Sequence, residues 1–96
     1  MLKITHISLL SNFMIRCVFN TGEERMFDLK KALSIEDPFV KKILRPEVFE
    51  KVKIGEFGQL YWQNIGEIRE LNDTVSPCDY DISPEFVYAH SKVAHR

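Results

Sequence analysis

The stretch FMIRCVFNTGEERMFDL, residues 13–29, decides the fold. Side chains on an extended strand alternate between two faces, so Phe13, Ile15, Cys17 and Phe19 point one way and Met14, Arg16, Val18 and Asn20 the other. Four apolar residues on one face make a half-buried strand. Asn20-Thr21-Gly22-Glu23 has turn chemistry, with Gly22 free to take positive φ, and Arg25-Met26-Phe27-Asp28-Leu29 returns the chain. The segment predicts a β-hairpin.

Upstream, residues 2–10 have strand composition with a slipped alternation. Leu2 and Ile4 share one parity, Ile7 and Leu9 the other, which marks a bulge in a bent edge strand. Ser11-Asn12 turns the chain into the hairpin, so residues 2–28 predict a three-stranded antiparallel meander. An exposed edge at residues 2–10 offers a homodimer by sheet extension.

Downstream, Leu29, Ala32, Leu33 and Ile35 form a short helical patch. Asp37-Pro38 is a helix N-cap with proline at the first position, followed by Phe39, Val40, Ile43 and Leu44 at helical spacing. Pro46 sets a boundary, after which Glu47-Val48-Phe49 makes at most one turn. Val52 and Ile54 restart the alternation, Gly55-Glu56-Phe57-Gly58 turns, and Leu60 and Trp62 share the inner face of a returning strand. Trp62 is the expected core anchor, and Ile65–Leu71 a final short strand with Ile68 inward. Asn72–Pro77 reads as a polar loop carrying Cys78 behind it. Ser83-Pro84-Glu85 then starts a C-terminal helix with Phe86, Ala89 and Val93 as its apolar stripe, fraying over residues 94–96. The expected fold class is α+β: a small antiparallel sheet built of a meander and a second hairpin, short middle helices, and a C-terminal helix packed on the sheet.

Ninety-six residues suit one domain spanning 1–96, and an apolar fraction of 45% with seven Phe, three Tyr and one Trp is that of a globular chain. The net charge of −1 gives no overall footprint for nucleic acid, but its distribution is uneven. Between Lys30 and Lys53 seven basic residues face four acids, a balance of +3, whereas from Glu56 to His90 seven acids face Arg69 alone, a balance of −6. No stretch approaches the roughly 20 apolar residues of a membrane span, and the N-terminus lacks the apolar run of a secretory signal. Cys17 and Cys78 have neither metal nor redox spacing, which fits reduced thiols in the cytoplasm.

Groups that could carry chemistry have simpler readings. Asp79, Asp81 and Glu85 resemble a carboxylate cluster, but Asp81 and Ser83 stand where helix caps belong and no calcium-loop spacing follows. His90 and His95 are five positions apart, on different helix faces, and His6 is remote from both, so none forms a zinc pair. No serine stands in a nucleophile elbow, and glycines 22, 55, 58 and 66 are isolated turn formers that open no phosphate loop. Phe57, Tyr61 and Trp62 beside Lys51 and Lys53 have the makings of a base-stacking platform, although core aromatics look the same in sequence. No catalytic, metal or cofactor site is expected.

The hairpin Gly22–Leu29, the segment Leu44-Arg45-Pro46-Glu47-Val48-Phe49-Glu50-Lys51-Val52, the strand Leu60-Tyr61-Trp62-Gln63-Asn64 and the run Asp81-Ile82-Ser83-Pro84-Glu85-Phe86-Val87-Tyr88 together resemble the domain of unknown function numbered 2442. The resemblance covers nearly the whole chain and implies a small bacterial, cytoplasmic α+β protein without known enzymatic activity. It also implies, from the gene neighbourhoods of some relatives, one half of a toxin–antitoxin-like pair. Other relatives carry a separate helix-turn-helix, for which these 96 residues have no room. The chain departs from the family's short Trp-Pro-Asn-Gly turn, having Trp62-Gln63-Asn64-Ile65-Gly66 and a longer acidic stretch to Asp81.

The expectation is therefore a non-enzymatic binding module, antitoxin-like, whose partner is another small protein. Asp73, Asp79 and Asp81 would supply its charge complementarity, with Tyr80 and Tyr88 as aromatic anchors. The alternative is a nucleic-acid-binding regulator using Lys41, Lys42, Arg45, Lys51 and Lys53, a reading the charge balance disfavours.

Overall fold

A computed structural model describes residues 1–94. Strand β1 (Ile4–Leu10), β2 (Met14–Phe19) and β3 (Glu24–Asp28) form the antiparallel meander that the alternation predicts. Ile15, Cys17, Phe19 and Phe27 are fully buried, so the parity read from the sequence is the parity of the core. The slip in β1 is a register shift between Ile4 and His6, and Gly22 turns the hairpin at φ +90°.

Between β1 and β2 the chain turns through Ser11–Phe13, where Asn12 and Phe13 both take left-handed φ of 59° and 58°. That conformation is costly for a bulky aromatic. The Phe13 ring offsets the cost by meeting the Phe49 ring edge-on at 5.2 Å, under the Lys30 ammonium at 5.1 Å.

Three short helices follow: α1 (Leu29–Ala32), α2 (Pro38–Ile43) and α3 (Pro46–Phe49). Asp28 caps the first by accepting from Lys30 N–H at 3.1 Å, and Asp37 caps the second by accepting from Phe39 N–H at 2.8 Å. Each helix stops within two turns because a proline or a buried apolar residue redirects the chain, and packing, not length, holds them. Val40, Ile43 and Phe49 are buried.

The second sheet has the order β4-β5-β6, from β4 (Lys53–Ile54), β5 (Leu60–Arg69) and β6 (Val75–Ile82). Trp62 is 1% exposed, and its indole N–H donates to the Phe49 carbonyl at 3.3 Å. Trp62 thus ties the second sheet to α3, in a core that also takes in Ile4, Phe19, Leu60 and Val87. The C-terminal helix α4 (Pro84–Ala89) starts with the Ser83 hydroxyl accepting from Phe86 N–H at 3.1 Å. It packs on the first sheet through Val87, with Phe86 edge-on to Phe27 at 6.4 Å and Tyr88 edge-on to Phe19 at 5.5 Å.

Two sequence expectations are corrected. Residues 75–82 are a strand, not the tail of a loop: β6 pairs with β5 from Leu60↔Ile82 to Arg69↔Val75, and Pro77 and Cys78 lie within it. Proline is tolerated there because β6 is an edge strand and needs no outward donor at that position. Ile68 accordingly stands on the core-side face of the hairpin but beyond the core, and is 55% exposed, not buried. The last helix also stops at Ala89, and Lys92–Val93 form β7, which pairs with β3 as the fourth strand of the first sheet. Val93 is thus an exposed strand residue, not part of a helical stripe. Residues 95–96, including His95, lie outside the described residues.

Arg25 accounts for the strand. Its guanidinium donates to the Ser91 hydroxyl and the Ser91 carbonyl, both at 2.7 Å, while lying 4.3 Å from the centre of the Tyr88 ring. Two donors of one rigid fork on one residue fix the chain where it leaves the helix.

Candidate partner-binding surface

The molecule is 51 Å long but only 29 and 20 Å across, and the β5–β6 hairpin accounts for its length. Ten extended residues reach about 33 Å. Up to Trp62 the hairpin belongs to the body; beyond Gly66 the β5 residues are exposed and the hairpin continues as an arm.

A wide bulge separates the two parts. Gln63, Asn64 and Ile65 on β5 oppose Asp79 alone on β6, because the register shifts between Trp62↔Tyr80 and Gly66↔Cys78. Asn64 takes the left-handed conformation, φ 58°, and its N–H donates to the Asp79 carboxylate at 3.2 Å. Asparagine tolerates that conformation better than most residues. Immediately after it, Gly66 packs on β6 so closely that a Cβ would stand 2.9 Å from Cys78 Sγ. Gly66 is therefore a close-approach residue within a strand, not a turn former.

Strand alternation sorts the arm into two faces. Gly66, Ile68, Ser76, Cys78 and Tyr80 continue the line of the core residues Leu60, Trp62 and Ile82. Glu67, Arg69, Val75, Pro77, Asp79 and Asp81 form the outer face. At the tip, Asp73 has φ 65° and a 3.7 Å ion pair with Arg69, with both side chains mostly in water. Thr74 N–H donates to Asn72 Oδ1 at 3.2 Å and closes the turn. Ile68, Leu71 and Val75 are all at least half exposed.

Of the residues expected to meet a partner, the structure brings Asp79 and Asp81 together on that outer face and puts Asp73 at the far end of the arm. Tyr80 turns inward, edge-on to Trp62 at 6.4 Å. Burial first, and then the Asp37 charge, hold its phenol above the usual tyrosine range. Tyr88 is on α4, between Phe19 and Arg25. Its phenol is also held high, first by a hydrogen bond with Glu23, then by that residue's charge and by burial, against a lowering by Arg25.

The basic residues divide. Lys41 and Lys42 project from α2, with Lys42 5.5 Å from the Phe39 ring, and Arg45 pairs with Glu47 at 3.1 Å. Lys51 and Lys53 line a groove of about 440 Å³ with Glu50, Trp62, Gln63 and Asn64, where the chain entering β4 diverges from β5. The base-stacking platform does not form: Trp62 is in the core, Tyr61 is half-buried, and Phe57 alone is well exposed.

The other chemistry-bearing groups are placed as scaffold. Cys17 is buried and desolvation pushes its thiol up to about 12, whereas Cys78 is half-buried under Gly66. His90 stacks on Phe86 at 4.0 Å and shares a 3.0 Å hydrogen bond with the Phe86 carbonyl; His6 is bonded to the Thr5 hydroxyl. Among the described residues, no group of three or more His, Cys, Asp or Glu is placed to hold a metal ion. No helix among them is long and apolar enough to cross a membrane.

Sequence reasoning missed the Arg25–Ser91 clamp, the bulge and the arm's apolar tip. Asn64 two residues before Gly66 inside a β-run was a usable signal for the bulge. The clamp joins residues 66 positions apart and leaves no local signal.

Comparison with curated proteins and with solved structures returns no match. A family model does match, over residues 4–93, from the first residue of β1 to the last of β7, and its description is "Protein of unknown function (DUF2442)". The chain belongs to the DUF2442 family.

Proposed function

We propose that the protein is a non-catalytic, protein-binding module whose recognition surface is the outer face of the β5–β6 arm. The observation that carries this reading is the arm itself. From Gln63 to Ile82 the sequence holds five acids against Arg69 alone, and Asp79, Asp81 and Glu67 share a face with Val75 and Pro77. Carboxylates around a small apolar centre suit a basic partner, since charge steers the encounter and apolar contact holds it. The family resemblance favours a small companion protein in the bacterial cytoplasm, with this chain as the antitoxin-like half of the pair.

The test is a tagged pull-down from the native host's lysate, split into nuclease-treated and untreated halves, with the wild type beside an Asp73→Lys/Asp81→Lys variant. Asp79 is spared because it supports the bulge. A protein retained in both halves by the wild type and lost by the variant is the expected result. Equal retention by the variant refutes the placement. The second reading, a nucleic-acid-binding regulator, draws on Lys51 and Lys53 lining one groove. It requires nucleic acid in the untreated half and binding that weakens steeply with salt.

A further inference from the structure

The edge of β5 that faces away from β6 is open along the arm. β4 covers it only at Leu60 and Tyr61, whereas β5 continues to Arg69. Which backbone groups line that edge follows from one hydrogen bond. Glu70 N–H donates to the Thr74 carbonyl at 2.8 Å, so Glu70 bonds inward to the hairpin. Antiparallel pairing alternates, so Ile68 and Gly66 also bond inward, and Glu67 and Arg69 present their N–H and C=O outward. The position of Pro77 agrees: it lies opposite Glu67, in a pair that needs no inward N–H. The same proline blunts the other edge of the arm, on β6. At the base of β1, the Ile4 N–H is already donated to the Gly58 carbonyl at 3.0 Å.

The free edge reads GEIRE over residues 66–70, between the bulge and the turn, and this run is self-complementary in charge about Ile68. Set antiparallel to itself, it places Glu67 opposite Arg69, Ile68 opposite Ile68 and Gly66 opposite Glu70. The outward backbone groups of Glu67 and Arg69 then meet as hydrogen-bonded pairs on both sides of a two-fold axis. Ile68 falls in the closer, non-hydrogen-bonded position, where side chains touch best. The charged pairs are of opposite sign. The same placement covers Ile68, which is 55% exposed in the single chain. It also sends the partner's acidic tip, Glu70 and Asp73, toward the groove lined by Lys51 and Lys53.

We propose that two copies of this chain associate through the β5 edge of the arm, in a two-fold antiparallel pairing of residues 66–70 centred on Ile68. The occupant of that edge is a second copy because the register satisfies hydrogen bonds, charge and apolar contact together, and a closed two-fold contact uses one patch on both subunits. The pairing takes up Glu67 and Arg69 and leaves Val75, Pro77, Asp79 and Asp81 of the outer face uncovered, so the two surfaces meet only along the β5 side of the arm. About five residues per subunit is well below the roughly 20–30 a side of a standard interface, which places the contact in the small, transient class.

Sedimentation velocity on the full chain from 1 to 500 μM tests it. The wild type should shift from monomer to a species of twice the mass across that range. Arg69→Glu, which sets two carboxylates against each other twice, should weaken the dimer at least tenfold. Glu67→Arg/Arg69→Glu exchanges the pair and should restore the wild-type dissociation constant to within about threefold. Both residues are exposed, so the variants fold as the wild type does. A second, covalent readout is Ile68→Cys in a Cys78→Ser background, which should form a disulfide-linked dimer on mild oxidation. A chain monomeric at 500 μM, a dimer indifferent to Arg69→Glu, or a double exchange that fails to restore it each overturns the proposal. The two proposals fail separately when the pull-down is read on Asp81→Lys alone, since Asp81 is on β6, opposite Tyr61 and away from the paired edge.

Discussion

Replacing Arg25 by Met keeps the bulk and apolar stem of the side chain and removes its fork. The Arg25 side chain is 13% exposed, and its guanidinium makes two hydrogen bonds of 2.7 Å to Ser91, one of them to a backbone carbonyl, besides lying over the Tyr88 ring. A hydrogen bond from a charged donor contributes about 1.5–3 kcal/mol, a further one about 1, and a cation–π contact about 0.5–1. The low ends come to roughly 3 kcal/mol, a sizeable share of the about 5–15 kcal/mol that holds a domain together. The nearby Glu23 carboxylate, at 3.5 Å and one-third exposed, adds little. Urea denaturation followed by circular dichroism should show the Arg25→Met midpoint lowered by this amount at unchanged slope. Hydrogen exchange should show the Ala94 amide, which donates to the Glu24 carbonyl at 3.0 Å, losing protection first. Arg25→Lys should recover less than half of the loss, because an ammonium cannot span both acceptors. A midpoint within about 0.5 kcal/mol of wild type, with Ala94 protection unchanged, refutes the clamp as the device that docks β7.

Gly66→Ala should destabilise by about 1 kcal/mol alone, since the new methyl meets Cys78 Sγ, yet stabilise in a Cys78→Ala background; a double-mutant cycle on urea midpoints reads the coupling. Asp79→Ala should cost about 1 kcal/mol and expose the Asn64 amide to exchange, with no change in protection counting against the bulge support. Cys17 should resist alkylation at pH 8 in the native state while Cys78 reacts, and equal rates would contradict its burial. Tyr80 and Tyr88 both have phenols raised by the fold, so the unfolded chain gives up those protons first as pH climbs. Their contribution is complete below about pH 10 and lost as pH rises through the folded values, so the urea midpoint should fall there, and fall less in Tyr80→Phe and Tyr88→Phe. Equal slopes in wild type and variants would remove the linkage.

What the sequence determined by itself is local. The parity of Ile15, Cys17 and Phe19, the bulge in β1, the caps at Asp37 and Ser83 and the burial of Trp62 each follow from a few adjacent residues, because pleat, capping and turn chemistry act over two to four positions. The elements that were misread owe their form to distant groups. Residues 75–78 read as the end of a loop because Pro77 breaks the pattern and no apolar stripe marks them, and only pairing along β5 makes them part of a strand. The final helix reads as longer than it is because its stop comes from Arg25, far upstream in the chain. The arm's surface falls between these cases. Its residues are all visible in the sequence, but an isoleucine at strand spacing looks the same whether a core covers it or not. Only the tertiary structure carries β5 past the body, leaving Ile68 in water and the backbone of Glu67 and Arg69 facing outward, with no strand of the described residues beside it.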